Sequence, residues 1–362
     1  MRVGGRSHRT ICLDEDGWSV RIIDQTRLPH EFATLRLESV EDAARAIRTM
    51  QVRGAPLIGV TAAFGVALAM RRNASDRALT DACTMLMATR PTAVNLRWAL
   101  DRVRRALEAF AESSRTEAAY ALASTMADED VEVCRSIGRH GVELLRRAWE
   151  KRRNPERLNI LTHCNAGWLA TVDWGTALAP VFTAHQEGLQ VHVWVDETRP
   201  RNQGYLTAWE LQQEGISHTV IVDNAGGHIM QHGLVDLCIV GTDRTTAAGD
   251  VCNKIGTYLK ALAAHDNGVP FYVAAPASSI DFRISDGRKD IPIEQRDARE
   301  VHEVTGLSGT QPLTVRVTPQ DSPAQNYAFD VTPARYVTAL ITERGVCAAS
   351  AEGLRALFPE RA

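Results

Sequence analysis

The chain has 362 residues, 44% of them hydrophobic and 23% charged, the composition of a folded globular protein with room for about two domains. A net charge of −3 offers no field for holding nucleic acid or an anionic membrane non-specifically, so neither is an expected partner, while a local anion site stays compatible with it. Seven cysteines (Cys12, Cys83, Cys134, Cys164, Cys238, Cys252 and Cys347) include no C-x-x-C pair, which disfavours both a disulfide framework and a cysteine-rich zinc site.

No apolar stretch follows the basic start, so no signal peptide is expected, and the longest apolar run, 55–70, is shorter than the ~20 residues that span a bilayer. A cytoplasmic enzyme or binding protein is the expectation. The first forty residues alternate loosely and read as short strands and turns. Ser39, three residues before Asp42, has the spacing of a capped helix start, and Val40, Ala43, Ala44, Ile47 and Met50 keep helical spacing behind it. Further helical stretches are read over 57–71, 93–113 and 117–149, the second opened by Pro91 and Thr92. Residues 1–150 are thus read as an N-terminal helical domain with a small antiparallel β entry.

The charged stretch 151–157 is read as a linker, a solvated turn rather than a phosphate patch. Beyond it, short β-branched runs at 158–162, 191–195, 219–222, 237–240 and 271–274 alternate with helical segments at 166–187, 207–214 and 254–265. That alternation predicts an α/β unit over 151–362, Rossmann-like, with a mainly parallel sheet covered by helices on both faces. It lacks G-x-G-x-x-G, so no dinucleotide is inferred. Residues 281–325, punctuated by prolines, read as a long irregular excursion before a last helix near Pro333.

Ligands in open α/β sheets bind outside the carboxyl ends of the strands. The strand ends here deliver His163-Cys164-Asn165, then Asp196-Glu197-Thr198-Arg199 with Gln203 following, then Asp223-Asn224, and then Gly241-Thr242-Asp243-Arg244 with Asn253-Lys254 just beyond. A lone cysteine is ordinarily a small buried hydrophobe, but Cys164 follows a strand and precedes an expected helix start, whose dipole favours a thiolate. Asp243 is either a loop-bracing carboxylate or a buried acid. Asp196 and Glu197 are expected to orient their loop and pair Arg199. His228-x-x-x-His232 has helical ligand spacing but lacks the glutamate of H-E-x-x-H and a third ligand, so no metal is expected. In the helical domain, Arg53-Gly54-Ala55-Pro56 precedes a helix whose first N–H groups could hold an anion, and Arg90-Pro91-Thr92 repeats the design. Facing Asn253 and Lys254, the two arginines would clamp a phosphate across a cleft.

In combination these segments resemble the signatures of the methylthioribose-1-phosphate isomerase family. The resemblance rests on Arg53-Gly-Ala-Pro-Leu-Ile-Gly-Val, Arg90-Pro-Thr-Ala-Val-Asn-Leu, Thr162-His-Cys-Asn-Ala-Gly, Val195-Asp-Glu-Thr-Arg-Pro, Leu206-Thr-Ala-Trp-Glu-Leu, Gly241-Thr-Asp-Arg and Asn253-Lys-Ile-Gly-Thr-Tyr. It runs in order from about Ser39 to Val346. It implies a homodimer that converts 5-methylthioribose 1-phosphate to 5-methylthioribulose 1-phosphate in methionine salvage, without a cofactor. It implies Cys164 and Asp243 as the catalytic pair, and Arg53, Gly54, Ala55, Arg90, Gln203, Asn253 and Lys254 as the substrate-binding set. Three binding-loop departures bear on the 5-substituent: a loop one residue shorter after Gln203, Asp223-Asn-Ala-Gly-Gly-His where the family has Asn-Met-Ala-Ala-His, and Tyr327 in place of a common proline.

The alternatives are an isomerase of 5-deoxyribose 1-phosphate or ribose 1,5-bisphosphate, and a non-catalytic regulatory subunit like those of the related initiation-factor exchanger. The bisphosphate would call for a second basic cluster, which the differing loops lack, and a regulatory subunit would have no use for a Cys164–Asp243 pair.

Overall fold

The computed structural model describes residues 1–151 and 156–361, so residues 152–155, within the expected linker, lie outside the described residues. A two-stranded ribbon, β1 (Arg2–Val3) with β2 (Arg6–Ser7), opens the chain. Next come three antiparallel strands, β3 (Ile11–Leu13), β4 (Val20–Ile23) and β5 (Thr34–Leu37), the expected β entry. Five helices follow: α1 (Val40–Arg48), α2 (Ala55–Arg72), α3 (Asp76–Met87), α4 (Val94–Leu107) and α5 (Glu112–Glu150). Ser39 caps α1 as read, its hydroxyl accepting from the Asp42 amide at 3.1 Å.

Two helical readings change. A helix over 76–87, capped by Ser75, had not been read, and the stretch 93–113 stops at Leu107, so that α5 starts at Glu112 rather than at 117. Helix α2 is long and apolar enough to cross a membrane, but 78% of it is buried inside the protein: it is the central helix of the first core, packed by α1, α3, α4 and α5. Helix α5 serves two cores. Ala119, Ala123, Met126 and Val131 pack with α2, whereas Ile137, Val142 and Leu145 pack under the sheet that follows.

That sheet begins with β6 (Leu158–Thr162). After it come α6 (Ala179–Gln186), β7 (Val191–Asp196), α7 (Gln203–Gln213), β8 (Ser217–Ile221), α8 (Ala225–Gln231) and β9 (Leu237–Val240). A short hairpin, β10 (Arg244–Thr246) with β11 (Val251–Lys254), leads to α9 (Thr257–Asp266) and β12 (Phe271–Ala274). The excursion carries β13 (Ile280–Asp281), α10 (Gly287–Asp290), α11 (Arg299–His302), an exposed hairpin of β14 (Glu303–Ser308) and β15 (Gln311–Arg316), and β16 (Phe329–Thr332). The chain closes with β17 (Ala339–Thr342), β18 (Gly345–Cys347) and α12 (Ala351–Leu357).

The seven-stranded order is β18-β17-β12-β9-β6-β7-β8, parallel throughout except β18. Alternate residues supply opposite faces: Ile160, Leu237 and Ile239 face one core, while Leu161, Cys238 and Val240 face the other. Burial on both faces is why these strands read as continuous apolar runs. A second, four-stranded sheet, β13-β10-β11-β16, lies beside the first.

Four further expectations are corrected. Residues 166–187 are not one helix, because Trp174 and Gly175 adopt φ of +68° and +79°, which no right-handed helix tolerates. The strand read at 219–222 runs from Ser217 to Ile221; as an edge strand it accepts the polar Ser217 and His218. Lys254 ends a strand rather than starting a helix. Finally, no helix starts near Pro333: a 3-10 turn at Ala334–Tyr336 leads into β17, whose short apolar run has no periodicity to tell strand from helix.

Candidate active site

From β6 the chain winds outward through β7 and β8, then returns to the other side of β6 with β9. The crevice between the carboxyl ends of β6 and β9 is therefore the topological switch point, where such sheets bind ligands. Cys164 lies two residues past β6 and Asp243 three past β9, and both line one cavity there.

Cys164 is held in a left-handed backbone conformation, φ +68°, a strain that non-glycine residues ordinarily carry only where surroundings enforce it. Its amide donates to Thr198 Oγ1 at 2.9 Å, and its carbonyl accepts from Thr207 Oγ1 at 2.8 Å. The expectation that a helix start activates this thiol fails. No α-helix begins until Ala179, and burial pushes the thiol up, reinforced by the Asp243 carboxylate and opposed by Arg53 and Lys254. The same cations act on Asp243. Burial raises its carboxyl above the ordinary range, Arg90, Arg53 and Lys254 pull it down, and Glu294 pushes it up.

All nine residues singled out in the sequence line this cavity. Arg53 and Gly54 precede α2, whose first N–H groups have no side-chain cap and whose second residue is Pro56. Gly54 has φ +99°, and a Cβ there would stand 2.3 Å from the Ala170 carbonyl oxygen, so only glycine lets this helix start press against the Cys164 loop. Arg53 donates to the Asn165 side-chain oxygen and, at 2.7 Å, to the Asn165 carbonyl. Arg90, in the turn before α4, pairs with Glu294 at 2.8 Å. Gln203 opens α7 and keeps a buried side-chain oxygen unpartnered among the described residues. Asn253 and Lys254 come from β11 in the small sheet, and Asn253 Nδ2 donates to Thr257 Oγ1 at 3.0 Å.

Lys254 is 4% exposed, and its ammonium has no hydrogen-bonding or ion-pairing partner among the described residues. Burial lowers its pKa, against the pull of Cys164, Glu300 and Asp243. An ammonium this deep, close to two arginines, calls for an anionic ligand. The cavity is narrow, about 60 Å³, and it adjoins a wider one of about 510 Å³ through Met50, Arg53, Arg201, Gln203 and Arg296.

Sequence reasoning missed the supports. Arg201 and Arg296 reach the mouth because Glu300 binds both, each at 2.8 Å; nothing in their spacing signals this. Arg199 does not pair with Asp196 or Glu197. Its guanidinium goes to the Pro200 and Val301 carbonyls, while Glu197 meets the Tyr205 hydroxyl at 3.3 Å. Asp196 instead faces His163 Nδ1 at 3.0 Å and Lys260 Nζ at 3.3 Å. His163, Asp196 and Asp223 offer ligand atoms within 4.8 Å of one another, the one such cluster among the described residues, but Lys260 already supplies the positive charge there. His228 and His232 lie with ring centroids 4.2 Å apart and planes tilted by 47°, outside that cluster.

Residues 51–349 match the model of the initiation factor 2 subunit family. A protein of Rhodospirillum centenum named methylthioribose-1-phosphate isomerase is 64% identical over 365 residues, covering 100% of this chain and 97% of the relative. The crystal structure of 5-methylthioribose 1-phosphate isomerase from Pyrococcus horikoshii OT3 superposes with a TM-score of 0.83 at 41% identity, covering 98% of this chain and 97% of that one. The structure described as translation initiation factor eIF-2B, subunit delta, from A. fulgidus superposes at 0.80 with 39% identity, covering 98% and 100%. The chain belongs to the initiation factor 2 subunit family, on the branch of the methylthioribose-1-phosphate isomerases.

Proposed function

We propose that the chain is an aldose–ketose isomerase converting 5-methylthioribose 1-phosphate to 5-methylthioribulose 1-phosphate, the step that carries this sugar through methionine salvage. The full-length relative at 64% identity bears that name. The observation that carries the reading is the meeting of Cys164, Asp243 and the partnerless Lys254 ammonium in one cavity at the switch point. A regulatory subunit has no need of that arrangement.

The substrate's anomeric oxygen carries the phosphate, so its ring does not open spontaneously to an aldehyde. Asp243, whose carboxyl burial raises above the ordinary range against the pull of Arg90, Arg53 and Lys254, is the acid that donates its proton to the ring oxygen as the C1–O bond breaks. Arg53, Arg90, Lys254 and the N–H groups at the start of α2 bind the phosphate. Two routes finish the reaction. In one, a base removes the C2 proton and returns it to C1 through an enediol-like intermediate. In the other, hydride moves from C2 to the electron-poor C1 while the C2 hydroxyl passes its proton to the Asp243 carboxylate left by ring opening and becomes the ketone. Burial holds Cys164 as a thiol, which favours the hydride route, with the sulfur shaping and polarising the pocket. Turnover in D2O separates the two: product without deuterium at C1 supports hydride transfer, and deuterium at C1 supports the enediol.

The finer parts of this reading are a Rossmann-like catalytic unit over 151–362 beside a helical unit over 1–150, cytoplasmic location and a homodimer. The strand order β8-β7-β6-β9-β12-β17 supports the first. The exposed Leu307, Leu313 and Val315 of the β14–β15 hairpin support the last, since they offer apolar surface for a second copy. Light scattering of the purified chain tests the dimer.

A further inference from the structure

Glu210, on α7, is fully buried, and its carboxylate is spent on one wall of the catalytic cavity. Oε1 accepts from Asn165 Nδ2 at 2.9 Å and from the Leu169 amide at 3.0 Å, and Oε2 accepts from the Trp168 amide at 3.0 Å. Asn165 Nδ2 also donates to Thr207 Oγ1 at 3.1 Å, which fixes the orientation of the amide. With its nitrogen turned to Glu210, the amide oxygen must face the other way, and there it receives Arg53. The carboxylate also sits close against the loop: a Cβ at Gly167 would stand 1.7 Å from Oε2.

We propose that Glu210 is a positioning residue that acts through Asn165 to aim the Arg53 guanidinium at the substrate phosphate. Without Glu210, the Asn165 amide keeps only the Thr207 hydroxyl to hold the orientation that presents its oxygen to Arg53. The guanidinium then loses one of its two anchors and searches a wider arc. Burial raises the carboxyl to about 7, against the hydrogen bonds from Asn165 and Leu169, the Arg53 charge and the Trp168 amide. A buried carboxyl on a helix is thereby tied to the anion site of the other helical layer. The inference rests on Arg53 binding the sugar phosphate, as proposed above.

The phosphate is bound in both ground and transition states, so a relay through Arg53 shows in KM rather than kcat. Glu210→Met is expected to raise KM about tenfold with kcat within about threefold, roughly the loss of one charge-assisted anchor. In an Arg53→Lys background, which already lacks the two-pronged contact, the same substitution should raise KM less than about twofold, because residues in one network couple non-additively. Glu210→Gln keeps one oxygen able to serve both Asn165 and Leu169, so it should recover most of the KM although it lowers Tm by setting an amide against the Trp168 N–H. Should Glu210→Met fail to fold, Asn165→Ala breaks the same link and carries the same cycle. An undiminished KM effect in the Arg53→Lys background, or a wild-type KM in Glu210→Met, overturns the relay. Calorimetric binding of ribose 1-phosphate gives the same cycle without turnover. A wild-type chain that binds this ester but does not isomerise 5-methylthioribose 1-phosphate therefore counts against the function and not against the relay.

Discussion

Cys164 and Asp243 follow β6 and β9, the two neighbouring strands between which the sheet reverses its winding, and the Asp243 carboxylate raises the cost of ionising the Cys164 thiol. A thiolate and a carboxylate at the same crevice repel each other, and desolvation acts against the charge of both, so the site favours their neutral forms more than water does. That is the protonation state an acid-assisted ring opening followed by hydride transfer requires.

The pH dependence follows from Asp243. Its folded pKa is raised, so the protonated acid persists to a higher pH than for an ordinary aspartic acid, and is lost as pH rises through that value. In the hydride route the Asp243 carboxylate formed by ring opening takes the C2 hydroxyl proton, so no second group has to start as a base and kcat/KM should show one limb, falling as pH rises. Any residual activity of Asp243→Asn should be flat over the same range. A profile measured from pH 5 to 10 that rises across it contradicts the assigned role.

Lys254 predicts a separation of stability from binding. The residue is 4% exposed and its ammonium has no partner among the described residues, at a cost in folding free energy. Lys254→Met, of similar length, should raise Tm, with a gain of about 1 kcal/mol or more. Its KM should rise on the order of a hundredfold, from loss of a charged contact worth about 2–3 kcal/mol. Because burial depresses the lysine's folded pKa, the unfolded chain binds more protons between that value and the ordinary lysine range. Wild-type stability should therefore climb with pH in that window, and the variant should lack the climb. Urea unfolding at several pH values measures both effects.

Gly54 predicts a local collapse of the anion site. Alanine there meets a φ of +99° and a carbonyl oxygen 2.3 Å from its Cβ. Gly54→Ala should cost about 2–4 kcal/mol, combining backbone strain with overpacking. It should also raise KM, because the α2 start must back away from Ala170. Thermal unfolding and steady-state kinetics of the one variant suffice.

What the sequence disclosed and what it hid have physical causes. Strands β6, β9 and β12 were legible because burial on both faces leaves unbroken apolar runs, and the strand-end rule put Cys164 and Asp243 on a short list from which the family resemblance picked them. The start of α2 was legible because Arg53-Gly54-Ala55-Pro56 is a local signal. The small sheet was not: Arg244–Thr246 and Val251–Lys254 are too short and too polar for any periodicity, and the pairing of the second with Phe329–Thr332 closes a loop of about eighty residues. Thus Lys254, which lines the cavity, was singled out but placed on the wrong element. Helix α3 was passed over although Ser75 caps it, its moderate apolar face lying among exposed polar residues. Glu210 stood within a recognised run, Leu206-Thr-Ala-Trp-Glu-Leu, yet nothing local says that its carboxylate reaches back 45 residues to Asn165.

The central claim is that one thiol and one acid at the switch point isomerise a sugar phosphate. The most direct test follows 5-methylthioribose 1-phosphate by proton and phosphorus NMR with the wild-type chain, Cys164→Ser and Asp243→Asn, each first shown to be folded by circular dichroism. The account predicts accumulation of the ketose 5-methylthioribulose 1-phosphate with wild type and a fall in rate on the order of a thousandfold or more in each variant, in the range of a lost general acid. Conversion at a near-normal rate by either folded variant, or none by the wild type, would contradict it.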